Sequence, residues 1–152
     1  MSASASDPLG AVSRARPSAP ARFAHSILVL ADQTATSPGL AAALTERAER
    51  GPTRFTLLVP AGPQAPSRLE AAVEQLSAIG LRVRGLIGDQ DPVVAVQESW
   101  DPRHFDEIIV STLPTRSSAW LRIGLPQRIR RLTGALVAHT VSPPAVETPA
   151  LR

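Results

Sequence analysis

Arg116, Arg122, Arg128, Arg130 and Arg131 fall between residues 116 and 131 with no acid among them. Guanidinium groups are permanently charged, and their fork of N–H donors matches a phosphate or carboxylate. The hydroxyls of Ser111 and Thr112 open the same stretch, STLPTRSSAWLRIGLP, and Pro126 closes it. Proline at a first helical position marks the start of a helix. The amides around Gly124 and Leu125 should then point outward unpaired, at a terminus whose dipole favours an anion. Arg130 and Arg131 read as the wet face of that helix rather than as anion ligands, whereas Arg116 and Arg128 suit either reading. Trp120 either stacks on a ligand or a partner, or folds the loop onto the core.

Other chemistries find little support. The sequence has no cysteine, and its sixteen basic residues are all arginine. That excludes thiolate metal sites, disulfides, the lysine of a P-loop and a Schiff-base lysine. His25, His104 and His139 are dispersed, and no His/Asp/Glu set has the spacing of metal ligands. Ser117 and Ser118 have no neighbouring base, so nucleophilic catalysis is not expected. Asp89 and Asp91 read as turn and N-cap residues rather than a magnesium pair. A net charge of +3 and 3% aromatic residues argue against a nucleic-acid partner.

The elements that must position these residues follow from the apolar pattern. Residues 1–22 are Ser, Ala, Pro and Arg without period and read as a disordered arm, and 142–152 as a Pro-rich tail. Between them, 23–141 is long enough for one domain. Short apolar runs at His25–Leu30, Arg54–Pro60, Leu81–Ile87, Phe105–Val110 and Ala135–Val141 read as strands. Helical patterns separate them. Ser37-Pro38 caps the first helix, Ser67 and Glu70 suggest a capping box for the second, and Asp91-Pro92 opens the third. In the second, Leu69, Val73, Leu76 and Ile79 form the apolar stripe.

Strands alternating with helices imply a doubly wound α/β sandwich, a five-stranded parallel sheet with helices on both faces, for which 3-2-1-4-5 is the order expected. The alternation of apolar and basic residues in Leu81-Arg-Val-Arg84 places the third strand at an edge. Ligands of such sheets bind beyond the carboxyl ends of the strands, where the winding reverses. That point faces the loop Ala31–Thr36, with Asp32, against the stretch from Ser111.

In this order the chain resembles the universal stress protein family across about His25 to Val141. The resemblance is carried by ILVLAD ending at Asp32, GDQDP from Gly88, the strand FDEIIV, and LTGALVAHT at the close. Nucleotide-binding members follow the fourth strand with Gly-x-x-Gly, nine residues, then Gly before Ser or Thr. Here those positions are Ser111, Pro114, Gly124 and Leu125, so one of the four is kept. Proline offers no amide, and side chains at 111 and 114 obstruct the approach that glycine permits.

The resemblance implies that Asp32 hydrogen-bonds the sugar or base of a nucleotide, unless it only forms a turn. It implies also that Val59 borders an adenine through its backbone, unless it is plain core. The expected site is therefore Asp32, Val59, Ser111, Thr112, Arg116, Gly124, Leu125 and Arg128, with ATP or AMP as possible ligands. The expected function is non-enzymatic: a stress-type regulatory or association domain with weak or lost nucleotide binding. The alternative is an ATP- or AMP-binding switch or slow ATPase that uses arginines where relatives use glycines. A homodimer through the fifth strand, Ala135 to Val141, and a protein partner at the Ser111–Pro126 loop are the expected associations. No run approaches the roughly 18 apolar residues of a membrane span, and a cytoplasmic location is expected.

Overall fold

The computed structural model describes residues 24–114 and 118–142. The N-terminal arm, nearly all of the C-terminal tail and Arg116 lie outside the described residues. Five strands, β1 (His25–Leu30), β2 (Thr53–Pro60), β3 (Arg82–Gly88), β4 (Glu107–Thr112) and β5 (Val137–Val141), form one sheet of order β3-β2-β1-β4-β5. Every pairing is parallel. Five helices connect them: α1 (Pro38–Glu49), α2 (Ala65–Ala78), α3 (Pro92–Ser99), α4 (Ala119–Arg122) and α5 (Leu125–Thr133). The expected fold class and strand order are both present.

The central strand shows why the sheet is covered twice. Successive side chains of a strand point to opposite faces. Ile27 and Val29 enter one core with Phe55, Leu57 and Ile109, beneath Leu40 and Leu44 of α1 and Ala72 and Leu76 of α2. Leu28 and Leu30 enter the other with Ile108 and Val110, beneath Val93 and Val96 of α3 and Leu125 and Ile129 of α5. A continuous apolar run is the signature of a strand buried on both faces. The aromatic scarcity is made good by Leu, Ile and Val, with Trp100 stacked on Phe105 at 6.0 Å between ring centroids.

Local signals hold where a side chain supplies the cap. Ser37 accepts from the amides of Gly39 and Leu40, and Asp91 from that of Val93. Asp89 accepts from the Asp91 amide, as a turn residue does. The capping box at Ser67 does not form. Helix α2 begins earlier, at Ala65, because Pro66 presets the dihedral of the first turn. Ser67 instead donates to the Gln64 carbonyl at 3.5 Å. The buried stripe shifts accordingly to Ala65, Ala72 and Leu76, and Ile79, at the C-cap, is 56% exposed. Strand β5 begins at Val137, two residues later than the apolar run at Ala135 suggests.

The stretch after β4 is not one long loop. Ser118 caps α4 by accepting from the Leu121 amide at 3.1 Å. Gly124 then turns the chain with φ 66°, a left-handed conformation that suits glycine, and α5 starts at Leu125.

Candidate functional site

The carboxyl ends of β1 and β4 face each other where the winding reverses, as the topology requires. Two buried hydroxyls join the loops there: Thr34 Oγ1 and Ser111 Oγ lie 2.6 Å apart. Above them is a cleft of about 180 Å³, lined by Asp32, Gln33, Ser111, Thr112, Ser118 and Trp120. Asp32 also borders a second hollow, of about 320 Å³, between the Pro60–Gln64 loop and Arg68. Arg68 forms an ion pair with Asp32 and donates to Gln64 Oε1 at 2.8 Å. The carboxylate between the two hollows is therefore already neutralised from α2.

The cleft brings together three of the expected residues, Asp32, Ser111 and Thr112. Arg116 lies outside the described residues, and of the other expected residues the cleft gathers none. Val59 and Leu125 are fully buried, in the first and second core respectively. The Gly124 amide donates to the Leu121 carbonyl at 3.1 Å instead of pointing outward. Arg128 is exposed on α5 and does not line the cleft. The expected cradle of outward amides around Gly124 is thus reduced by the turn that α4 introduces. Trp120 packs against the second core and forms one wall of the cleft.

Arg68 and Thr34 are the residues that sequence reasoning passed over. Arg68 carries a signal in retrospect: a cation near a helix N-terminus opposes the dipole and calls for a nearby anion. Thr34 has no such mark, since only the folded chain sets it against Ser111.

Thr112 also contacts β5, where its Oγ1 lies 2.7 Å from His139 Nε2. Burial lowers the His139 pKa from its ordinary 6.5. The folded state thus favours the neutral ring, and on acidification the unfolded chain takes up this proton first. The contribution of His139 to stability is complete above 6.5, falls as the pH drops below it, and levels off beneath the depressed folded value. Urea unfolding of His139→Gln between about pH 7 and about pH 5 is expected to show a shallower loss of stability than the wild type. Equal slopes for the two proteins would contradict this. Among the described residues, no group of three or more His, Cys, Asp or Glu is placed to hold a metal ion.

A parallel β3-β2-β1-β4-β5 sheet with a polar cleft at the β1/β4 switch point defines the class as doubly wound α/β. The structural comparison agrees. The chain is similar to a universal stress protein whose crystal structure was solved in complex with cAMP, with a TM-score of 0.56 and 20% identity. The match spans 78% of this chain and 98% of that one. No protein-family model matches the chain, and no curated protein matches it by sequence.

Proposed function

We infer that the chain is a non-enzymatic regulatory or association domain of universal-stress type, whose switch-point cleft has little affinity left for a nucleotide. The observation that carries this reading is that three polar groups of the cleft, and one amide of the expected phosphate cradle, already have partners. Asp32 is held by Arg68, Ser111 by Thr34, Thr112 by His139, and the Gly124 amide by Leu121. A ligand would have to displace these contacts and match their energy before gaining any affinity. The cleft volume of about 180 Å³ is also below the roughly 300 Å³ at which small-molecule sites begin.

Association through β5 is supported by its place at the sheet edge, where its backbone is free to pair with another strand. Apolar side chains surround that edge: Leu136 is 72% exposed, Leu132 52% and Val141 51%. A second copy adding strand to strand would cover them.

The alternative, an ATP- or AMP-binding switch, is favoured by one observation, the guanidinium of Arg68 at Asp32. A ligand phosphate drawing Arg68 away would join the two hollows that share this carboxylate. Calorimetric titration with AMP and cAMP, together with the sedimentation mass of the free protein, separates the readings. The expected result is a dimer without measurable nucleotide heat. Micromolar affinity that is abolished in Asp32→Ala would establish the switch instead, and a monomeric protein would remove the association reading.

A further inference from the structure

A third cleft, of about 520 Å³, lies at the opposite, amino end of the sheet, over β2 and β3. It exists because α3 is short. This helix packs tightly over the carboxyl ends of the two strands, where a Cβ on Gly88 would come within 2.8 Å of both Ala95 and Leu58. Among the described residues the amino half of the same face has no helix above it, and it is bordered by His104 and Phe105. In a parallel sheet such a face is ordinarily apolar and covered. Here it carries Arg54, Arg82 and Arg84 beside the hydroxyl of Thr56.

The placement of these arginines is costly as it stands. Arg54 lies directly opposite Arg82, and Arg84 opposite Thr56. Like charges opposite one another on neighbouring strands are destabilising. None of the three belongs to an ion pair among the described residues, and no acid lines the cleft. The nearby carboxylates are engaged elsewhere: Asp101 with Arg103 and His104, and Asp106 with His25 and the Ser26 amide. Arg84 donates from Nε to Thr56 Oγ1 at 3.2 Å, which orients its guanidinium along the sheet.

We propose that this cleft binds a short chain of linked phosphates. Three guanidinium groups are carried on stems about 4.8 Å apart across the strands and about 6.6 Å apart along one. That spacing converges on one compact polyanion and does not follow an extended backbone. Guanidinium forks engage phosphate oxygens in pairs, and the volume is within the range of small-molecule sites. The phosphate chain can belong to free oligophosphate or to the tail of a nucleoside triphosphate. Neither requires the switch-point cleft, so this site stands apart from the function proposed above.

Inorganic tripolyphosphate is the probe, titrated into the full chain by calorimetry, with ATP in a parallel arm. Tripolyphosphate is expected to bind with an affinity that falls as salt is added. The double variant Arg82→Gln/Arg84→Gln, which keeps polar side chains at the edge strand, is expected to weaken it at least tenfold. Asp32→Ala is expected to leave it unchanged. Equal affinity for both compounds identifies the phosphate chain alone as the ligand, and tighter ATP identifies the nucleotide. Absence of tripolyphosphate binding to the wild type would overturn the proposal, as would undiminished binding to the folded double variant. Binding of single-stranded RNA without tripolyphosphate would likewise overturn it, in favour of a nucleic-acid surface.

Discussion

Replacing Glu107 by alanine is expected to lower the unfolding free energy by about 3 kcal/mol. Glu107 opens β4 with its side chain 7% exposed. It pairs with Arg47 in the last turn of α1 and accepts from His25 Nε2 at 2.9 Å. Removing the carboxylate leaves Arg47, itself only 22% exposed, without its counter-charge. Breaking a buried pair from one side costs about 3–5 kcal/mol, and the partial access of Arg47 to water favours the lower end. Glu107→Gln retains the shape and one acceptor, so its loss should be smaller. Denaturant midpoints for the three proteins at neutral pH check the order. A glutamine variant as stable as the wild type would show that the charge is dispensable.

Leu125→Ala is expected to cost about 2–5 kcal/mol, because Leu125 is fully buried between α5 and the sheet. Ile123, two residues earlier, is 48% exposed, and Ile123→Ala is expected to cost well under half as much. Thermal unfolding of the two variants side by side makes the comparison. Similar losses at both positions would mean that the α4–α5 corner is packed differently. The pair matters to the cleft as well. Leu125 anchors the corner from which Ser118 and Trp120 close one side of it.

The contrast between these two residues marks the boundary of what could be read from the chain. In IGLPQRIRR both are large and apolar, and both flank Gly124. No spacing rule separates them, because α4 is a single turn too short to show a period. The strands were far more legible. Runs such as ILVL and LLV are apolar on consecutive residues, as in a strand covered on both faces, and the Arg-Val-Arg alternation identified β3 as an edge. Caps depending on one short polar side chain, at Ser37 and Asp91, were equally visible. Ser67 misled because Pro66 was the stronger local determinant.

The candidate site divides in the same way. Its location, and the presence there of Asp32, Ser111 and Thr112, followed from topology once strands and helices alternated. The partners of those groups did not. Arg68 reaches Asp32 from a separate helix, Thr34 reaches Ser111 across 77 positions, and His139 reaches Thr112 across 27.

By itself, then, the sequence determined the class of fold and the end of the sheet where a ligand cleft must open. These depend on periodicity and caps, which are local interactions within a few residues. Only the tertiary structure decided that Asp32, Ser111 and Thr112 of the cleft are engaged by Arg68, Thr34 and His139, and that Arg54, Arg82 and Arg84 line an open cleft at the far end. Both outcomes arise from contacts between distant segments, where the geometry of packing, rather than residue type, sets which charge meets which partner.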